Sequence, residues 1–313
     1  LQALRRREHD DAITLQHGLL PDELPDADGV VLAGHYRAGG DGAEIGGDWY
    51  DAVRRPDGTL CISVGDVVGH GIPAAVLMGR LRNAFRAYAL DGHSPAEVLR
   101  RLSRHVHAGD MATALCLEID PYGRSVAYSG AGHPPALLAR RGEGRARRLE
   151  DGSAPPLGVA VPQALREVRT ALAEGDLLLL YTDGLVERRR TDIAVRIGVL
   201  EEALGALAAG GGPAPDGVPR LVARMLDGRT PDDDVALVLA ELQAVPGRMA
   251  VEIPARPEHL APLRRRLRAW LCAHGLPDER VEQTLVAASE ALTNAVEHGS
   301  AGGARRVELS AEI

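Results

Sequence analysis

The sequence predicts an α+β fold, in which β-sheets pack face to face and helices cover their outer surfaces. Short apolar runs with strand character recur between residues 30 and 239, and amphipathic stretches of helical length separate them. Hydrophobic residues make up 45% of the 313-residue chain, enough for substantial cores. Aromatic residues make up only 3%, so leucine, valine and alanine must fill those cores.

The first 20 residues are predicted to form an amphipathic helix that ends before Pro21 and Pro25. Two interpretations stay open for this helix. It is either a simple cap on the fold or a linker from an upstream regulatory region. The chain starts without Met inside this charged pattern, which suggests part of a longer protein. A helical linker would also be compatible with a homodimer.

Strands and helices in the next region are predicted from periodicity and from helix-start signals. The predicted strands cover residues 30–36, 60–67, 112–119, 125–129, 136–139, 177–181 and 235–239. Those between 112 and 139 follow one another closely, which predicts an antiparallel meander. A helix is predicted over 73–90, and Ser94 followed by Pro95 marks the start of another. The Gly- and Pro-rich stretch 210–217 is predicted to be a loop.

A domain boundary is predicted at residues 244–247, which separates a first domain at 21–243 from a second at 248–313. The second domain is predicted to contain a strand at 249–253, two helices and a further strand from Arg306. The first of these helices has one apolar face between residues 260 and 271, and the second covers 278–298.

Composition excludes several classes of protein. A formal net charge of −8 argues against nucleic-acid binding. No apolar run reaches the ~18 residues that a membrane span needs, and no signal peptide is recognisable. Cys61, Cys116 and Cys272 fit neither a zinc site nor a disulfide framework. Unpaired cysteines are typical of a reducing compartment, so we expect a cytoplasmic protein.

Acidic residues recur at the ends of predicted strands, beside glycines or further aspartates. They are Asp48, Asp66, Asp183 and Asp233. Mg²⁺ and Mn²⁺ prefer oxygen ligands and keep several waters, so a few carboxylates for each ion suffice. Two neighbouring ions can activate a shared water and neutralise phosphate charge. A single Asp-Gly pair is more simply a turn, but four acids next to apolar strands favour a metal site.

The motifs around these acids resemble the SpoIIE/RsbU branch of the PPM (PP2C-like) serine/threonine phosphatases. They include Gly-Gly-Asp-Trp-Tyr-Asp at 46–51 and Asp-Val-Val-Gly-His-Gly at 66–71. The matching segments come in the family's order and are residues 44–51, 66–75, 131–135, 156–159, 175–187 and 233–237. The resemblance covers about residues 14–242.

This resemblance implies a PP2C-like α-β-β-α sandwich with two Mn²⁺ or Mg²⁺ ions at one end. It implies that Asp66 bridges the two ions with help from the Val67 carbonyl. Asp48 would then bind one ion, and Asp183 and Asp233 the other. Water activated by the ions would attack phosphoserine or phosphothreonine without a phosphoenzyme intermediate.

The resemblance also suggests roles for further residues and for partners. Asp51 and Asp234 would orient ligands or waters. Apart from the resemblance, the chemistry of imidazole makes His70 a candidate proton donor to the leaving oxygen. For His133, which precedes two prolines, a turn or packing role is favoured. The implied substrate is a phosphorylated anti-anti-sigma (STAS) protein in a partner-switching circuit, with an anti-sigma factor or a sigma factor as further partners.

Near the C-terminus, Glu290, Asn294 and His298 fall on one face of a predicted helix, away from its apolar face. An ordinary solvated face would give the same pattern. Residues 249–313 resemble the first part of an RsbW-like anti-sigma kinase of the GHKL ATPase superfamily. The resemblance implies Glu290 as general base and Asn294 as Mg²⁺ ligand. The family's later glycine-rich boxes do not occur before Ile313, so ATP–Mg binding is expected only of a complete domain.

Three functions therefore remain as hypotheses. The first is a metal-dependent protein phosphatase. The second is a catalytically weak module that only binds a partner, which the presence of all four candidate ligands disfavours. The third is a bifunctional phosphatase and anti-sigma kinase that regulates the same circuit.

Overall fold

The computed structural model describes residues 18, 20–40, 46–159, 165–188, 190–211, 214–298 and 306–313, except for the side chain of His298. The helix predicted at residues 1–20 therefore lies outside the described residues, apart from Gly18 and Leu20. Within the described part of the chain, no helix combines the length and apolarity that crossing a bilayer requires.

Strands and helices alternate in groups along the chain. The strands are β1 (Val30–Arg37), β2 (Trp49–Arg54), β3 (Leu60–Val67), β4 (Ala112–Asp120), β5 (Ser125–Ala131), β6 (Leu137–Ala139), β7 (Arg147–Arg148), β8 (Ser153–Ala154), β9 (Val168–Ala171), β10 (Leu177–Tyr181), β11 (Val235–Leu242), β12 (Arg248–Pro254) and β13 (Arg306–Glu312). The α-helices are α1 (Ile72–Leu90), α2 (Pro95–Leu102), α3 (Ile193–Gly210), α4 (Ala214–Leu226), α5 (Leu260–Ala273) and α6 (Asp278–His298).

Two sheets form the centre of the first domain. One has the strand order β1-β11-β10-β6-β7, and the other has the order β2-β3-β4-β5-β8 with β9 also paired to β5. Apolar side chains from both sheets meet in a core between them. Helices α1 and α2 cover the outer face of the second sheet, and α3 and α4 cover the first. The layers are therefore helix, sheet, sheet, helix, which confirms the α+β class and the PP2C-like sandwich.

The apolar run at β10 shows why this sandwich forms. Its five residues are all buried. Alternate side chains of a strand point to opposite faces of the sheet, and both faces are covered here. Leu178 and Leu180 enter the core between the sheets, whereas Leu177 and Leu179 face the α3–α4 layer. A strand covered on both faces must be apolar throughout, as observed.

Helix α1 matches the predicted helix and lies directly after the Asp66 motif. It begins after Gly71, whose φ of 79° suits a residue without a side chain, and Pro73 occupies its first turn. Leu77, Leu81 and Phe85 repeat at intervals of four residues and pack on the second sheet.

Two sequence predictions are wrong in detail. The three strands between 112 and 139 do not form one meander, because β6 leaves the second sheet and pairs with β10 in the first. The predicted loop 210–217 is partly helical, since α4 starts at Ala214. Pro215 is tolerated there because the first turn of a helix needs no backbone donor. Strand β2 and helix α3 are not among the predicted elements.

The C-terminal segment forms a smaller unit. Strands β12 and β13 pair antiparallel from Arg248↔Glu312 to Pro254↔Arg306. Helices α5 and α6 pack on this ribbon through leucines, valines and the fully buried Trp270. Tyr122 from the first domain joins the same apolar cluster, so the two parts share a packed contact.

Candidate active site

Asp48 and Asp66 meet at the end of the β2–β3 ladder. Trp49 pairs with Gly65, which brings the next residues outward, Asp48 and Asp66, opposite each other. The Val67 amide donates to the Gly47 carbonyl at 3.2 Å and closes the ladder. A side chain at Gly65 would collide with the Trp49 ring at 2.2 Å, so glycine fixes this register.

Asp183 and Asp233 meet in a similar way at the end of the β10–β11 ladder. The Thr182 amide donates to the Ala236 carbonyl at 2.9 Å, and the Ala236 amide donates to the Thr182 hydroxyl at 2.9 Å. A Cβ on Gly184 would lie 2.0 Å from the Asp234 carbonyl, so only glycine permits this approach.

The pKa values show that the two pairs come together. Burial, and then the charges of Asp183 and Asp233, raise the pKa of Asp66 to about 7, although its contact with Asp48 lowers it. Burial, followed by Asp66, also raises the pKa of Asp48 well above its usual value. Burial and then Asp233 raise the pKa of Asp183. The acids predicted from separate motifs therefore share one site.

The donor atoms of this site fit hard cations. Asp48 is 3% exposed, and its Oδ2 has no hydrogen-bond partner among the described residues. A Cβ on Gly47 would lie 2.3 Å from the Val67 carbonyl oxygen and 3.1 Å from Asp66 Oδ1, so glycine keeps these oxygens accessible. No three acidic, His or Cys side chains in the described ranges already form a ligand cluster. Mg²⁺ and Mn²⁺ tolerate this, because they keep several waters.

Asp234 lies beside the site and holds strand β1. Its Oδ2 accepts a hydrogen bond of 2.6 Å from the Tyr36 hydroxyl, and its Oδ1 accepts one of 2.8 Å from the Gly39 amide. Its charge also raises the pKa of both Asp48 and Asp66. Sequence reasoning missed Tyr36, which is 198 residues away from Asp234 and lies in no recognisable motif.

Asp51 makes its ionic contacts with helix α1. It is fully buried, and its two oxygens accept hydrogen bonds from Arg82 at 2.8 Å and Arg86 at 2.7 Å, both on α1. Both carboxylate oxygens therefore have cationic partners, and a role of Asp51 in orienting metal ligands stays a prediction. Its contacts attach α1 to β2.

His133 connects the two sheets through hydrogen bonds to Thr113 of β4 and Tyr181 of β10. Its Nε2 lies 3.0 Å from the Tyr181 carbonyl oxygen, and its Nδ1 lies 2.7 Å from the Thr113 hydroxyl. Because a carbonyl only accepts, Nε2 must carry the proton, and Nδ1 accepts from Thr113. Burial lowers the pKa of His133 to about 4, which keeps the ring neutral. This geometry agrees with the favoured packing role.

The remaining predicted residues are exposed. His70 lies in the turn between β3 and α1, close in sequence to Asp66. Glu290 and Asn294 point to solvent from α6, whereas Val281, Leu285, Leu292 and Val296 of the same helix are buried. The polar and apolar faces of α6 therefore separate as predicted.

The fold is that of a PP2C-like domain, followed by a smaller C-terminal unit. The chain belongs to the Stage II sporulation protein E (SpoIIE) family, whose model matches residues 56–243. The model of the histidine kinase-like ATPase domain matches residues 253–313.

Similar proteins agree with this assignment. The phosphoserine phosphatase RsbP of Bacillus subtilis is 30% identical over 190 residues, which cover 58% of this chain and 46% of RsbP. The phosphoserine phosphatase RsbU of the same organism is 27% identical over 150 residues, which cover 47% of this chain and 44% of RsbU. The chain thus spans less than half the length of these relatives.

Solved structures show the same architecture. The RsbU and RsbW domains of Rv1364c from Mycobacterium tuberculosis superpose with a TM-score of 0.65 and 29% identity, over 90% of this chain and 79% of that one. The SiaA-PP2C domain of Pseudomonas aeruginosa has a TM-score of 0.59 and 20% identity, over 77% of this chain and 98% of that domain. The second likeness concerns the fold alone.

Proposed function

We propose that this chain hydrolyses phosphoserine or phosphothreonine on a protein, with two Mn²⁺ or Mg²⁺ ions as cofactors. Its metal ligands are the side chains of Asp48, Asp66, Asp183 and Asp233 and the carbonyl of Val67. The observation that carries the proposal is that the ends of the β2–β3 and β10–β11 ladders bring acids together, where burial and neighbouring carboxylates raise the pKa of Asp48, Asp66 and Asp183. Acids that repel one another in this way need compensating positive charge.

When bound, the ions would supply Lewis-acid charge to activate water and to neutralise the phosphoryl oxygens. The chain positions the groups that hold them. Asp66 contacts Asp48 on its own sheet and is influenced by the charges of Asp183 and Asp233 from the other, which supports a role as shared ligand. Tyr36 and the Gly39 amide hold the Asp234 carboxylate, and the Asp234 amide donates to Asp233 Oδ1.

We further propose that the substrate is a phosphorylated STAS-type anti-anti-sigma protein, with an anti-sigma factor or a sigma factor as additional partners. The named activity of RsbP and RsbU supports phosphoserine as the residue that is dephosphorylated. The adjoining RsbW-like segment supports a partner-switching setting. The free, buried thiols of Cys61 and Cys116 are compatible with the cytoplasm.

A bifunctional phosphatase and anti-sigma kinase is the second candidate. The match of residues 253–313 to the histidine kinase-like ATPase model favours it, as do Glu290 and Asn294 on one face of α6. In this proposal Glu290 acts as a general base and Asn294 binds Mg²⁺ once a complete domain is present.

The proposed phosphatase is tested with p-nitrophenyl phosphate and a phosphoserine peptide, with Mn²⁺ and with a chelator. We expect hydrolysis of both substrates with Mn²⁺, and none with the chelator. Asp66→Asn should lower kcat by at least about a hundredfold, because it removes a central ligand. Asp151→Asn, at an exposed turn, is the matched control and should keep full activity. Hydrolysis that persists in the chelator would refute the proposal.

A further inference from the structure

A cavity lies beside the candidate metal site. Its volume is about 260 Å³, several times the roughly 30 Å³ that a water molecule occupies in the liquid. Gly184 and Leu185, which directly follow Asp183, line one side of it. Pro231 and Asp232, which directly precede Asp233, line another. A group in this cavity would therefore be a neighbour of any phosphate at the metal site.

Three guanidinium groups line the same cavity, from Arg188, Arg196 and Arg229. Within the described ranges, no carboxylate lies at ion-pair distance from any of the three. Arg188 is partly exposed and Arg229 is exposed, so both can reach a ligand. Surface arginines commonly find acidic partners, and a group of three without one is available to bind an anion.

Arg196 is the most enclosed of the three. Its Nη2 donates to the Met225 carbonyl, whereas its Nε is buried and has no hydrogen-bond partner among the described residues. Burial and then the charge of Arg188 lower the pKa of Arg196. A guanidinium that is partly desolvated and only partly hydrogen-bonded gains more from a nearby anion than a fully solvated one does.

The cavity also contains acidic side chains, which limits how strong the anion site can be. Glu187 and Asp232 belong to the lining, and Asp227 attracts Arg196 from a greater distance. The three guanidiniums still outnumber the two lining carboxylates by one. The site therefore suits a single anionic group, with one carboxylate as its simplest form.

On this basis we propose that the Arg188–Arg196–Arg229 cavity binds an acidic side chain of the phosphoprotein substrate, close in the substrate to its phosphorylated residue. The inference rests on the proposed phosphatase function and adds a determinant of substrate selection to it. A fork of donors binds a carboxylate in a defined orientation, so the cavity would also fix the direction in which the peptide chain crosses the site.

The test uses phosphoserine peptides that are neutral apart from the phosphate, in which one glutamate is moved stepwise along either side of the phosphoserine. The 313-residue protein with Mn²⁺ should show a lower KM for the peptides whose glutamate reaches the cavity. Arg229→Ala should reduce that preference by about fivefold, the effect expected for one partly exposed charged contact. Arg229→Lys should retain part of it, and Arg188→Ala should act in the same direction as Arg229→Ala.

Arg220→Ala is the matched control, since Arg220 is an exposed arginine of α4 that does not line the cavity. A peptide with a second phosphoserine in place of the glutamate distinguishes a phosphate-binding from a carboxylate-binding cavity. The inference is overturned if no glutamate position lowers KM, or if Arg220→Ala reduces the preference as much as Arg229→Ala. If the neutral peptide is not hydrolysed at all, the proposed phosphatase function itself fails.

Discussion

Arg266 Nη2 donates a hydrogen bond of 2.6 Å to Asp28 Oδ2, which joins helix α5 of the C-terminal unit to the start of strand β1. The Tyr122 hydroxyl donates to the same oxygen at 2.6 Å and accepts from Arg266. The Arg266 side chain is only 3% exposed. A buried guanidinium with these partners fixes how the two parts of the chain contact each other.

Arg266→Ala should therefore loosen the C-terminal unit. Removing the buried guanidinium takes one partner from both Asp28 and Tyr122 and leaves a cavity, and we expect a loss of about 2 kcal/mol in the free energy of unfolding of that unit. Urea denaturation followed by Trp270 fluorescence measures it, and faster proteolysis near residues 244–247 should accompany it. Arg264→Ala, on the exposed face of α5, is the control. Equal effects of the two variants would argue against the ion pair.

The contact between Gly46 and Asp234 gives a second prediction. A Cβ on Gly46 would lie 1.1 Å from Asp234 Oδ2, so Gly46→Ala must displace a carboxylate that holds Tyr36. We expect weaker Mn²⁺ binding in calorimetry and a lower Tm. Gly210→Ala is the control, because nothing lies within 4 Å of its added Cβ, and it should be neutral or slightly stabilising. Unchanged Mn²⁺ affinity in Gly46→Ala would contradict the geometry.

His133→Ala should destabilise the sandwich. The substitution leaves the Tyr181 carbonyl without its donor and the Thr113 hydroxyl without its acceptor, at a cost of about 2 kcal/mol. The free energy of unfolding, from urea denaturation, measures this effect. His107→Ala, at an exposed position, provides the comparison and should cost much less. If both variants unfold alike, His133 does not link the sheets.

The raised pKa of Asp66 predicts a pH dependence of stability in metal-free protein. Its folded pKa of about 7 exceeds the ordinary aspartate value of 3.8, so the folded state binds more protons than the unfolded state between these values. Stability should therefore fall as the pH rises towards 7, and added Mg²⁺ should offset the loss. Melting curves of wild type and Asp66→Asn isolate this contribution, and a smaller slope is expected in the variant. Parallel slopes would exclude Asp66 as the source.

The sequence predicts those parts of the fold and site that rest on local signals. The five-residue apolar run of β10 and the Gly-Asp motifs can be recognised in the sequence because each is a short, strongly patterned segment. The strand with which a given strand pairs cannot be predicted in this way. β6 has three residues, too few to show that its partner is β10 rather than β5.

Long-range polar contacts were not predicted, because they depend on how distant segments pack together. Asp51 carries the same Asp-rich context as Asp48, and only the packing of α1 shows that Arg82 and Arg86 neutralise it. Tyr36 and Asp234 meet because β1 and β11 are neighbours, which depends on the order of strands in the sheet. Such contacts depend on the order of the strands in the sheet, so no local pattern in either segment predicts them.

The central claim is that Asp48, Asp66, Asp183 and Asp233 hold a pair of ions. Crystals grown with Mn²⁺ and measured for anomalous scattering test it most directly. We expect two adjacent peaks, both in contact with Asp66, one also touching Asp48 and the other touching Asp183 and Asp233. Two peaks that share no carboxylate, or well-ordered crystals without any manganese peak at these residues, would contradict it.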